Sequence, residues 1–361
     1  MSIKKEIISI SKQMGIDKIG FTTRERLSDA PPSADLGYVL PEARSAVSLV
    51  VALDKPPIRA YLAKKDQMAH VEDHKRSYIK LGEAGRAIAD FLKRKGHESI
   101  SPIPNIEYRR NQSYMAMSPP ISHRYVAVAS GIGWFGWSGN VIAPEHGAAM
   151  SLASVITTAD LEPDEMIDGN YCNHCRLCAA SCPSQYISLK EKTEITIGGR
   201  VCTHNKKASN LRCVVTCGGA NGVRHPEAEW STWSYKVLDR PGPGDEEAFE
   251  RRVREYAEDP QNRLLRAIVF DLESRDFKTW EEFRHFWEKT VLVTCANCML
   301  VCWPKLEDRK ENYRLLTHSG RVVRGESGEA VPASRYAQSP QLTPPHNNKD
   351  ERRAAIDTSP S

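Results

Sequence analysis

A chain of 361 residues, 40% apolar and 27% charged, is long enough to bury one large or two modest hydrophobic cores. Its formal charge of +4, from 50 basic against 46 acidic residues, excludes a case for nucleic-acid or membrane binding from bulk charge, though not a local basic patch. No apolar run approaches the roughly 18 residues a membrane span needs.

The first ten residues pattern as an amphipathic helix start with an acidic residue, without an apolar signal core or a twin-arginine pair, so the cytoplasm is the expected compartment. Residues 3–14 read as a helix with Ile3, Ile7, Ile10 and Met14 on one side, broken by Gly15. Residues 18–23 follow as a short strand and residues 46–53 as a fully buried one. Residues 73–95 read as a long helix with Tyr78, Leu81, Ile88 and Phe91 on one face, stopped by Gly96. Alternating strands and helices point to an α/β arrangement, a sheet with helices packed on it.

Residues 111–120 are polar and turn-rich, and residues 125–129 are apolar. The segment Gly131-Ile-Gly-Trp-Phe-Gly-Trp-Ser-Gly139 suits neither a regular helix nor a strand interior. It reads either as a glycine-rich turn or as backbone passing close to a large flat ligand. Its spacing matches neither the dinucleotide fingerprint nor the phosphate-binding loop. Beyond the cysteine-bearing segments, residues 248–257 and 280–289 look helical, the latter rich in aromatics (Trp280, Phe283, Phe286, Trp287). Residues 337–361 are polar and proline-bearing and read as a disordered tail.

All 10 cysteines lie between Cys172 and Cys302. A disulfide scaffold spreads cysteines through a short secreted chain, so this concentration indicates a metal or cluster site. Cys172-x2-Cys175-x2-Cys178-x3-Cys182-Pro183 is the bacterial ferredoxin run, whose fourth cysteine ligates the neighbouring cluster. Cys295-x2-Cys298-x3-Cys302 repeats its tail. Cross-ligation then joins Cys302 to Cys172, Cys175 and Cys178, and Cys182 to Cys295 and Cys298. The eighth thiolate comes from Cys202, Cys213 or Cys217. Cys202, which follows the first run soonest, is the expected one. Structural zinc, which favours paired knuckles, does not explain the three-thiol run with its proline. Two adjacent [4Fe-4S] clusters form a wire for single electrons, and the rest of the chain is left for chemistry.

Over most of residues 1–305 the sequence resembles the superfamily of cobalamin-dependent iron–sulfur reductases that contains epoxyqueuosine reductase and the reductive dehalogenases. The resemblance runs through Lys18-Ile-Gly-Phe, Ala129-Ser-Gly-Ile-Gly-Trp134 and Asn140-Val-Ile-Ala-Pro-Glu-His-Gly147, then both cysteine runs in order. It implies a nitroreductase-like α/β domain holding a base-off corrinoid (residues 1–165). A ferredoxin-like two-cluster domain would follow (166–305), with a helical insertion at about 218–290, and then a C-terminal extension (306–336). It further implies that Gly131, Gly133, Trp134 and Asn140 line the corrinoid. Two departures stand out. Counting back without gaps from Gly131 puts Met117 where epoxyqueuosine reductases carry an aspartate acid, and the helical-repeat tail that reads tRNA is absent.

A reductive-dehalogenase-like reaction is therefore the leading expectation. A tyrosine proton donor with a cationic neighbour would be assembled from Tyr114, His123 and Arg124, with Tyr108, Arg109, Arg110 and Tyr125 close in sequence. The substrate would be a small organic molecule, the electron donor a ferredoxin or flavodoxin, and tRNA would not be a partner. An epoxyqueuosine reductase-like enzyme and an electron carrier without corrinoid are the alternatives. The aromatic-rich stretch at 218–290 would roof a pocket.

Overall fold

A computed structural model describes residues 2–102, 109, 118–217, 229–236, 245–260, 279–290 and 292–336. Tyr108, Tyr114, Met117, the tail and much of the 218–290 stretch lie outside the described residues. Helix α1 (Ile3–Gln13) leads into strand β1 (Lys18–Thr23), and β2 (Ser45–Ala52) precedes α2 (Lys55–Leu62) and the long α3 (Gln67–Arg94). After β3 (Ser99–Ile100) come α4 (His123–Ala129), the short β4 (Trp134–Phe135) and β5 (Val141–Ile142), and then β6 (Met150–Thr157). The cysteine-bearing half holds α5 (Leu177–Ala180), β7 (Ile187–Ile197), β8 (Arg200–Lys207), α6 (Asn210–Cys217), α7 (Glu246–Glu258), α8 (Trp280–Thr290), α9 (Asn297–Leu300) and α10 (Leu306–Thr317).

The architecture is mixed α/β. Its main sheet runs β1-β2-β6-β3, every pair antiparallel. Period-2 alternation in the central strand β2 explains how it is covered on both faces. Val47, Leu49 and Val51 join Ile7 of α1 and Leu81, Ala84, Ile88 and Leu92 of α3 in one core. Ala46 and Val50 face the other way, onto Val126–Ala129 of α4. Each fully buried Val, Leu or Ile side chain among them contributes roughly 1.5–3 kcal/mol.

Helix α3 begins earlier than the apolar spacing from residue 73 predicts. The Asp66 carboxylate caps it by accepting from the Ala69 amide, and the added turn buries His70 and Val71. A third core joins α2 to the cysteine-bearing half: Ile58, Tyr61 and Leu62 pack with Trp230, Trp233, Leu300 and Val301. Phe283 and Trp287 of α8 pack on Tyr78 of α3, so part of the expected aromatic roof is helix-on-helix core.

The β7–β8 hairpin is an element that the cysteine motifs conceal. Its turn at Gly198 and Gly199 takes positive φ angles of 58° and 75°, which glycine adopts without a Cβ penalty. Both glycine amides donate to the Asp29 carboxylate, at 2.8 and 2.7 Å. That clamp carries β8 against the α/β core. No described helix is long and apolar enough to cross a membrane.

Candidate active site and thiol clusters

Each cysteine run winds through left-handed residues that are not glycine. His174 (φ 54°) and Arg176 (φ 59°) lie inside the first run and Ala296 (φ 70°) inside the second. Such backbone is uncommon and costs free energy, here holding the thiols of each tight loop to one side. Cys172, Cys175, Cys178 and Cys302 line one small cavity together with Trp137, Arg176 and Arg309. The Trp137 backbone N–H donates to Cys172 Sγ at 3.3 Å. Arg309 ties the two runs together, donating to Asn173 Oδ1 at 2.8 Å and to the Pro304 carbonyl at 3.0 Å. Burial first, and then neighbouring thiols, push the Cys178 thiol pKa up. The Cys302 thiol is pushed up to about 12 by burial, against the pull of Arg309. Buried Cys178 and Cys302, half-buried Cys172 and exposed Cys175 face one cage, a donor set that suits iron, which ionises thiols that burial keeps neutral.

A second group forms around Cys298, whose thiol burial and the nearby Cys213 and Cys182 push up to about 12. Asn140 Nδ2 donates to Cys298 Sγ at 3.6 Å. Cys213 and Cys217, one turn apart on α6, have their sulfurs 3.9 Å apart, and Cys217 meets Cys295. Cys202 is elsewhere. It is fully buried on β8 among Ala127, Ile132 and Met166 of the α/β core, with Arg200 and Asp29 as its charged neighbours. Cys202, expected to supply the eighth thiolate, lies apart from this group: the Asp29-clamped hairpin carries it into the α/β core, and α6 brings Cys213 and Cys217 in.

Beside this second group opens a cavity of about 570 Å3, lined by His123, Arg124, Asn140, Tyr186, Lys207 and Cys213 among others. His123 Nδ1 pairs with Ser154 Oγ at 2.9 Å, and burial lowers its pKa to about 4. It is a neutral imidazole at neutral pH. Arg124 Nη1 donates to the Gly139 carbonyl at 2.8 Å. Tyr186 Oη donates to Asn210 Oδ1 at 2.6 Å, and burial raises its pKa beyond the ordinary phenol value. Burial, with Arg124 adding, lowers Lys207 to about 7.

Of the expected site residues, His123, Arg124 and Asn140 reach this cavity, and Tyr114 lies outside the described residues. Gly131, Gly133 and Trp134 are not among the residues that line it. A Cβ on Gly131 would meet the Glu165 carbonyl oxygen at 2.2 Å, and one on Gly133 the Ile142 carbonyl oxygen at 2.4 Å. Trp134 pairs with Ile142 across β4–β5 and packs on the α/β core. Sequence reasoning missed Tyr186 and Lys207, and named Cys213 only as one candidate for the eighth thiolate. An i, i+4 cysteine pair was the available signal for Cys213.

A search for matching protein families returns none. Among curated proteins, the chain is 28% identical over 207 residues to epoxyqueuosine reductase of Bacillus subtilis (strain 168), covering 50% of each chain. It is 24% identical over 205 residues to that of Lactococcus garvieae (strain Lg2), covering 51% of this chain and 56% of the relative. The chain is similar to epoxyqueuosine reductases over about half of its length. It spans about half the length of the curated relatives it matches. Solved structures similar to it include an epoxyqueuosine reductase with an epoxyqueuosine-modified tRNA stem loop (TM-score 0.42, 20% identity, 87% of this chain and 80% of that one). A reductive dehalogenase described as B12-dependent is another (TM-score 0.48, 15% identity, 91% and 40%). The curated epoxyqueuosine reductase relatives overturn the expectation that tRNA is not a partner.

Proposed function

We propose that this chain is a cobalamin-dependent reductase of the epoxyqueuosine reductase type, fed by two [4Fe-4S] clusters and acting on a modified nucleoside in tRNA. The observation that carries the reading is the adjacency of the second thiol group to the large cavity, where Cys213 belongs to both. The curated relatives favour this over the dehalogenase-like reaction that the sequence alone suggests.

In this reading Cys172, Cys175, Cys178 and Cys302 hold one cluster. Cys182, Cys295 and Cys298 hold the other, with Cys217, which meets Cys295, as fourth ligand. The α/β part is nitroreductase-like and residues 172–302 carry the ferredoxin-like part. The donor set fits iron, and the 570 Å3 cavity, bordered by Asn140 and with no carboxylate among its described lining residues, is where the corrinoid and substrate would meet. When bound, the corrinoid supplies low-potential reduction of a carbon–oxygen bond.

The protein's own side chains have three tasks. Asn140 reaches from the cavity rim to Cys298 Sγ, stabilising negative charge on that sulfur and fixing the rim against the cluster. His123, held neutral and oriented by Ser154, offers an imidazole of fixed direction. The apolar side chains of Phe135, Val141 and Leu152 exclude water from the space between them.

The test is anaerobic purification, reconstitution with iron, sulfide and cobalamin, and metal analysis. It is followed by incubation of epoxyqueuosine-containing tRNA with a chemical reductant and mass spectrometry of the nucleosides. About eight irons and one cobalt per chain with conversion to queuosine are expected. Iron without retained cobalt would leave an electron carrier. Cobalt with no conversion of the tRNA, but with turnover of an organohalide, would restore the dehalogenase-like reaction.

A further inference from the structure

The cavity has an unbalanced charge. Arg124 from α4 and Lys207 from the end of β8 both line it, with His123 and His204, and no aspartate or glutamate is among its described lining residues. The two cations meet at Gly139. Arg124 Nη1 binds the Gly139 carbonyl, and Lys207 crosses the same residue so closely that a Cβ there would lie 2.9 Å from Nζ. Gly139 has φ +74°, so the bare backbone at this point both permits the turn and lets the lysine pass.

Among the described residues, Lys207 Nζ has no hydrogen-bond acceptor. Its one ring neighbour is Tyr186, 5.6 Å from the centroid. Two like charges held together in a half-buried cavity repel each other. The arrangement is stabilised when an anion sits between them, and Arg124 keeps its Nε and second Nη donors for one. A guanidinium fork beside a compact ammonium is the donor set that phosphate oxygens take up best.

We propose that Arg124 and Lys207 form an oxyanion subsite in this cavity that takes a phosphodiester group. The phosphodiester identity rests on the function proposed above, because a corrinoid with its nucleotide tail and an RNA strand each carry one. The oxyanion subsite itself stands on the geometry. Lys207 is then a binding residue that places its ligand against the second cluster.

The experiment compares the holoprotein with its Lys207→Met, Lys207→Arg and Arg124→Gln variants, each first checked for full iron content. Equilibrium binding is measured for cyanocobalamin, for dicyanocobinamide (which lacks the phosphodiester tail) and for a tRNA anticodon stem-loop. Loss of one charge-assisted contact weakens binding on the order of tenfold. If the corrinoid tail is the source, Lys207→Met and Arg124→Gln weaken cyanocobalamin by about that factor. Dicyanocobinamide is then unchanged, and Lys207→Arg restores most of the loss. If the RNA backbone is the source, the same pattern appears for the stem-loop and not for cyanocobalamin.

Unchanged binding of all three in both charge-removing variants overturns the subsite, and the two cations then serve only to offset charge on the cluster. If the wild-type protein binds neither corrinoid nor RNA, the proposed function fails. The subsite is then decided by inorganic phosphate alone. Protection of Lys207 from acetylation by phosphate, read by mass spectrometry, supports it, and equal labelling with and without phosphate overturns it.

Discussion

His70 gives the sharpest link from a single buried group to the whole fold. It lies on α3, fully buried, with its ring 4.9 Å from that of Tyr61 and 5.9 Å from that of His74. Neither ring nitrogen has a hydrogen-bond partner among the described residues. Burial lowers its pKa from 6.5 to about 4, against a smaller upward pull from Asp73. In the unfolded chain the same imidazole titrates near 6.5. Because the folded value is the lower one, the unfolded state binds more protons below pH 6.5. Stability present above that pH is lost as pH falls toward about 4, with no further loss below. The full effect is about 3 kcal/mol, of which about 2 kcal/mol is gone by about pH 5. Replacing His70 by Phe keeps an aromatic of similar volume and removes the titration. Urea unfolding of both proteins at about pH 7.5 and about pH 5 isolates the term, since what acid does to the rest of the protein is common to both. The wild type should lose about 2 kcal/mol more than His70→Phe on acidification. Equal losses in the two proteins would refute the reasoning and place His70 in contact with solvent or a partner.

Further outcomes follow from the same contacts. Cys178→Ala and Cys217→Ala should each retain about half the iron of the wild type, while Cys202→Ala keeps all of it, as iron analysis after reconstitution would read. Gly133→Ala sets a methyl against the Ile142 carbonyl and should destabilise by on the order of 1–3 kcal/mol, seen as a lowered unfolding midpoint with unchanged iron stoichiometry. Arg309→Met strands the Pro304 carbonyl and Asn173, costing about 1–3 kcal/mol, and iron loss to a chelator should accelerate. Phe283→Ala empties the contact of α8 with α3 and should cost about 3–5 kcal/mol.

The grouping of the cysteine runs was legible because ligand spacing is a local constraint: thiols that share one site through a single loop must fall within a few residues. The main sheet was legible in part. Strand β2 shows as an apolar run interrupted only by Ser48 because both its faces are covered, yet nothing in that run says that its neighbours are antiparallel. The first turns of α3 were not visible, since Gln67-Met-Ala-His-Val-Glu-Asp-His74 lacks a clean apolar stripe. What buries that polar face is α2 and the indole of Trp287, which touches His74. Lys207 was invisible for a different reason. A lysine in a polar stretch reads as a solvated residue, and only the fold turns it toward a cavity.

The case of Cys202 shows what decides such placements. Cys202 is closer in sequence to the first run than either alternative, and chain distance favours it. Its position is set instead by alternation along β8, where exposed Val201 precedes buried Cys202, and by the two Asp29 hydrogen bonds at the hairpin tip. The period-2 register gives Cys202 to the α/β core, and a one-residue slip would turn it outward. Past the hairpin the period becomes 3.6, and α6 sets Cys213 and Cys217 on one face. The switch from strand to helix between residues 207 and 210 thus separates a core cysteine from two that reach the second thiol group. Asp29→Ala, which releases the tip, should expose Cys202 to thiol reagents while leaving Cys213 and Cys217 as they are. A Cys202 that stays unreactive in that variant would show that β8 is held by its core side chains and not by the Asp29 clamp.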